Sequence, residues 1–170
     1  MALPMLVRYQ DWKGKKILVT AADNPEQIFY HIETHLSKPN LVFCSASGSE
    51  IGSTTFHSLS SSIDFVVRGQ QIQLNRKSLM SSTYTYSSPA LNGATMTWSI
   101  SVRLTKGFKY VCVDDKSLPV AKSSGASIKD RWNSIGHLEL AEQYAHREDI
   151  RDEVAVIGWS LTHANLNGNV

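Results

Sequence analysis

Several things are scarce in this chain of 170 residues, and each scarcity narrows what it is. Cysteine is limited to Cys44 and Cys112, each inside an apolar, strand-like run. A free cysteine behaves as a compact hydrophobe, so both read as small buried thiols, though sequence leaves a bond between them open. Net charge is nearly absent: Lys+Arg 17 against Asp+Glu 15 leaves +2, which is no electrostatic footprint for nucleic acid. No apolar run approaches the roughly 20 residues that span a bilayer. The first residues, 1–8, hold an apolar stretch too short for a signal peptide, with no charged segment before it. No Asn-x-Ser/Thr sequon and no lipidation motif occurs, so a cytoplasmic location is expected. Repeats, linkers and a composition break are missing as well, which makes residues 1–170 one domain with its core at about 15–166. Hydrophobic residues make up 42%, as in ordinary globular proteins.

What is present is a succession of short alternating segments between turn signals. Segments at 5–9, 16–21, 27–34, 41–46, 50–56, 63–67, 71–75, 83–86, 95–104, 108–113, 118–122 and 135–140 give about eleven short strands. Ile63–Val67 and Gln71–Asn75, joined at Arg68-Gly69, make the clearest hairpin, and Lys106-Gly107 joins another. Ser58–Ser62 is low in complexity and reads as a loop. Strands at this spacing indicate an antiparallel sandwich or barrel. The last run, Asp152–Leu166, differs. From Val154 to Leu161 it is apolar on every face apart from Gly158 and Ser160, as in a helix wholly inside a core. Asp149, Asp152 and Glu153 supply negative charge for its N-terminus, and Asn165, Asn167 and Gly168 its stop. A buried strand over 154–159 is the competing assignment.

Catalytic signatures are wanting. There is no nucleophile elbow, P-loop or dinucleotide fingerprint, and Gly48–Gly52 lacks a Lys-Ser/Thr after it. His31 and His35 are not the zincin pair, because Glu33 falls one position late. On a strand the two histidines lie about 13 Å apart, too far for one metal ion. No metal or cofactor is expected. Asp114 and Asp115 fall at a strand-to-turn boundary, where aspartate is favoured without any acid–base role. Of the tryptophans, Trp12, Trp98 and Trp159 read as core, whereas Trp132 lies in a polar segment and suits a plug, a lid or an interface anchor.

The order of features resembles the tubby C-terminal-like superfamily, which includes phospholipid scramblase-like and LURP-one-related proteins, and most of all its small fungal tubby-like domains. The residues that carry the likeness are Ile63-Asp64-Phe65, the Ser88–Gly93 loop before Thr97-Trp98, and Tyr110–Asp114 followed by Val120-Ala121. Gly136–Leu140 and Asp152–Gly158 carry it most strongly. The resemblance implies a mainly β protein: a closed antiparallel barrel of about 12 strands around a buried C-terminal hydrophobic helix. Thr162 and His163 make the end of that helix more polar than the family's aliphatic one, leaving room for a partly wet lumen there.

Function is read in three ways. Arg68, Arg76, Lys77, Arg103, Lys106 and Lys109 fall at strand ends and, if they converge, form an anion site for lipid headgroup phosphates. Tubby proteins are phosphoinositide binders, which adds weight to a non-enzymatic domain binding anionic phospholipid at the barrel rim. The alternative is a small barrel enzyme of isomerase or cyclase type, with Asp64, Tyr84, Tyr86 and His163 around a hydrophobic metabolite beside the helix. A protein-interaction role, through an exposed apolar patch, is the third.

Overall fold

The computed structural model describes residues 1–11, 13–57, 62–77, 81–103, 107–126 and 134–167, without the side chains of 101–103 and 107–108. Trp12, Lys106, Trp132 and most of the Ser58–Ser62 patch therefore lie outside the described residues. The strands are β1 (Leu3–Tyr9), β2 (Lys16–Ala21), β3 (Ile28–Thr34), β4 (Leu41–Ser45), β5 (Glu50–Phe56), β6 (Ile63–Val67) and β7 (Gln70–Gln73). They continue as β8 (Asn75–Arg76), β9 (Thr83–Ser88), β10 (Ala94–Arg103), β11 (Gly107–Val113), β12 (Pro119–Gly125) and β13 (Gly136–Leu140). A 3-10 turn, Glu142–Tyr144, precedes the helix α1 (Glu148–Leu166).

All thirteen strands belong to one antiparallel sheet in the order β7-β6-β5-β4-β3-β2-β1-β13-β12-β11-β10-β9-β8. The two edges of that order are consecutive in the chain. Gln70–Gln73 pairs with β6 and Asn75–Arg76 with β9, and only Leu74 separates them. The sheet thus rolls into a nearly closed barrel, which removes the exposed edges of an open sheet. Counting 70–76 as one strand gives twelve, in keeping with the barrel of about 12 strands expected.

Alternation explains why these segments line a lumen. Met5 and Val7, Tyr30 and Ile32, Leu41 and Phe43, Ile63 and Phe65, and Met96 and Trp98 are all buried, with every second residue turned outward. Register shifts at Val19/Thr20, Phe43/Cys44 and Cys112/Val113 bend the wall.

The lumen is filled by α1, in which Val154, Ala155, Val156, Ile157, Trp159 and Leu161 have no exposed surface. The strand alternative for 154–159 is overturned, and the helix starts at Glu148, a turn before Asp152. Its polar side chains meet polar side chains of the wall. Ser160 pairs with Thr54 at 2.7 Å, and Ser123 donates to the Gly158 carbonyl at 3.0 Å. Two glycines let the large rings fit. A Cβ on Gly158 would stand 2.7 Å from Cη2 of Trp98, and one on Gly136 would meet the Trp159 ring and, at 2.6 Å, the Ser124 carbonyl. Cys112 faces the lumen while Cys44 lies on the outer face, and both are free thiols.

Candidate functional site

An up-and-down barrel has two ends, and α1 tells them apart. The helix N-terminus shares its end with the β2–β3, β4–β5, β6–β7, β9–β10 and β11–β12 connections. The helix C-terminus shares the other with the β1–β2, β3–β4, β5–β6 and β8–β9 connections.

At the first end two carboxylates are buried. Asp152 and Glu153 sit in the second turn of α1 and are almost wholly buried, so the surface capping role expected for them is corrected to an internal one. Asp152 accepts from the Tyr30 hydroxyl at 2.7 Å on one oxygen and from Arg68 Nε and Nη2, each at 2.7 Å, on the other. Arg68 is positioned by a tight hairpin: Arg68 and Gly69 have φ of 49° and 76°, the pair of positive angles that two-residue turns of this kind demand. The hydrogen bond to Asp152 raises the Arg68 pKa further above its already high value. Arg151 Nε donates to the Tyr30 oxygen at 3.1 Å and its guanidinium covers the Phe29 ring. Burial, and then the Asp152 charge, push the Tyr30 phenol far up, so it stays a donor.

Glu153 accepts from the Tyr86 hydroxyl at 2.8 Å and from the Ala90 N–H at 3.1 Å. Burial raises its pKa, opposed by hydrogen bonds from Ser88, Tyr86 and Ala90. Burial, then Glu153, also lifts the Tyr86 phenol well above its ordinary value. A cleft of about 220 Å³ opens beside this group, lined by Arg68, Gln70, Pro89, Asp149 and Glu153 among others. Every carboxylate oxygen of Asp152 and Glu153 already accepts a protein hydrogen bond. That arrangement fastens the helix to the wall, since buried charges are tolerated only when paired. It does not present an idle acid and base to a substrate.

Charge on the rest of the molecule is segregated along the helix axis. The first end carries Asp23, Glu26, Glu50, Asp114, Asp115, Glu142, Glu148 and Asp149. Arg68 is engaged with Asp152, Arg147 with Asp149 at 2.7 Å and Arg151 with Glu148 at 3.7 Å, while Arg8 reaches the Pro25 carbonyl at 3.0 Å and Lys116 makes no ion pair among the described residues. The second end carries Lys13, Lys15, Lys16, Lys38, Arg76, Lys77 and, near the start of β11, Lys109, against Asp11, Glu33 and Asp64. Those acids are committed elsewhere. Asp11 accepts the Lys15 N–H at 2.9 Å, Glu33 lies 3.5 Å from His35, and Asp64 is bonded to His57 at 2.7 Å. Among the described residues Lys15, Lys16, Lys77 and Lys109 make no ion pair.

The predicted cations therefore divide. Arg76, Lys77 and Lys109, with the backbone of Arg103, come to the second end; Arg68 lies at the opposite one. Arg76 donates to the Ser81 carbonyl at 2.7 Å and lies over the Tyr84 ring. The side chains of Arg103 and Lys106 are outside the described residues. Lys13, Lys15, Lys16 and Lys38 were missed as part of this group. Lys13-Gly14-Lys15-Lys16 reads in sequence as a turn, and only the sheet order brings it to the same rim as Lys77.

The four residues of the enzymatic alternative do not meet. Asp64 faces outward, bonded to His57, and Tyr84 lies under Arg76. Tyr86 binds Glu153 near the start of α1, while His163 is ten positions further on, about 15 Å along the axis. His163 stacks on Phe56 and tilts against Trp159, at ring separations of 6.3 and 6.4 Å, and Thr162 bonds Gly158 and Ser123. The polar helix end is thus packed. Among the described residues no three His, Cys, Asp or Glu side chains are grouped to hold a metal, and no helix is long and apolar enough to cross a membrane.

No protein-family model, curated protein or solved structure matches the chain.

Proposed function

We propose that this protein is a non-enzymatic, tubby-like barrel domain that binds anionic phospholipid at its basic rim. The observation that carries the reading is the number of unpaired cations at one end: Lys15, Lys16, Lys77 and Lys109 make no ion pair among the described residues, whereas at the acidic end Arg68, Arg147 and Arg151 are paired and Lys116 is not. Unpaired cations spread around one end of the barrel attract an anionic surface laid across it, at about 1 kcal/mol per lysine near a lipid headgroup layer. The resemblance to tubby-like domains points the same way and suggests phosphoinositides among the headgroups. The lumen is occupied by α1, which leaves the rim as the surface for recognition.

Flotation with vesicles of phosphatidylcholine, alone or with phosphoinositide, at low and physiological salt, tests this. Binding that needs the anionic lipid, weakens with salt and is lost in Lys77→Glu/Lys109→Glu is expected. Failure to bind any vesicle overturns the reading and turns attention to a protein partner.

A further inference from the structure

The β3–β4 connection, residues 35–40, projects from the basic end and carries an apolar side chain at its tip. Leu36 is wholly exposed, 107% by relative area; Met1, at the other end of the barrel, is 94% exposed, and Tyr9 and Leu118 are half exposed. The base of the connection is fixed. His35 N–H donates to the Asn40 carbonyl at 2.8 Å, Asn40 N–H to the Thr54 carbonyl at 2.8 Å, and the Phe56 N–H to Asn40 Oδ1 at 2.9 Å. Leu36 is therefore held outward by a stapled loop. Beside it lies a recess of about 440 Å³ whose lining includes Lys15, Lys16, His35 and Ser37 and also the Glu33 carboxylate, which lies 3.5 Å from His35. An exposed leucine gains nothing for folding. Next to unpaired lysines and hydroxyls it has the two components of an interfacial anchor, an apolar tip for the acyl boundary and cations for the phosphates around it.

We infer that the β3–β4 tip is a membrane wedge: Leu36 enters the interface of an anionic bilayer, and Lys15 and Lys16 hold lipid phosphates in the adjoining recess. This inference rests on the basic-rim reading and assigns it a point of entry. The partner is a lipid surface, because the tip is a single side chain, far smaller than the apolar patch of a protein interface.

The test is a partition titration onto vesicles of phosphatidylcholine carrying phosphatidylserine and phosphoinositide, comparing wild type, Leu36→Ser and Leu36→Trp. Removing the leucine should weaken partitioning about tenfold, as expected for one large apolar side chain returned to water. Tryptophan should restore or raise it, and the emission of Leu36→Trp less that of wild type should shift to the blue on binding. Should wild type bind while both variants bind equally well and the difference emission stays unshifted, the wedge is overturned and the basic rim stands. If wild type itself stays off these vesicles, the rim reading falls and takes the wedge with it. Leu36 touches no core residue, so the variants retain the fold.

Discussion

Glu153 and His163 are both partly or wholly buried on α1, and burial acts on them with opposite signs. Burial raises the Glu153 pKa, so folding disfavours its charged form relative to the unfolded chain. The cost of holding it charged is relieved as pH falls through its folded pKa toward the ordinary glutamate value. Burial lowers the His163 pKa, so the unfolded chain takes up the proton first, and stability is lost as pH falls below about 6.5. The glutamate effect lies above about pH 4.5 and the histidine effect below about pH 6.5. His163→Phe, which keeps a ring against Phe56 and Trp159, should flatten the acid loss. Glu153→Gln should steepen it. Urea midpoints measured across this range check both, and a Glu153→Gln profile parallel to wild type would remove the buried-carboxylate account. Sequence alone missed that role. Acidic residues at the start of a helix have a sufficient explanation in its dipole, and the phenols that bind them, Tyr30 and Tyr86, lie 122 and 67 residues away.

At the scale of the element, α1 and the barrel wall are fitted ring to glycine. Helix propensity alone makes Gly158→Ala a gain of about 1 kcal/mol. The added methyl would press on Trp98, buried on all sides, and overpacking of this kind costs about 1–3 kcal/mol. A lower Tm is therefore expected for Gly158→Ala, and a larger fall for Gly136→Ala, where backbone as well as ring stands in the way. Thermal melts decide it, and a raised Tm for Gly158→Ala would mean that the two rings are not tightly seated. These elements were largely legible. Period-two alternation put Ile63–Val67, Tyr84 and Tyr86, and Met96 and Trp98 on strands, and the all-round apolar run marked 154–161 as buried, with a strand there as the rival. Boundaries were less so. The helix begins at Glu148 because Glu148 and Asp149 are polar residues outside the packed run, and hydrophobic pattern has no hold on them.

At the scale of the whole molecule, a net charge of +2 conceals a bipolar particle. Sequence could not reveal it, because lysines at 15, 16 and 77 come to the same end of the barrel, on opposite sides of its rim, only through the sheet order. Lys116, in the β11–β12 connection, lies at the acidic end. Lys15→Glu and Lys116→Glu therefore change net charge equally and differ only in which end they alter. If attraction depended on total charge, both variants would lose the same affinity for anionic vesicles. Screening in physiological salt limits each charge to about 8 Å, so a lysine at the far end of the barrel contributes little. Lys15→Glu should weaken vesicle binding about tenfold or more, while Lys116→Glu leaves it near wild type. Equal losses in a flotation series would show that the ends are not distinguished. Unequal ones would fix the helix axis across the lipid plane, with the acidic mouth and its Arg68–Asp152 latch turned toward solvent.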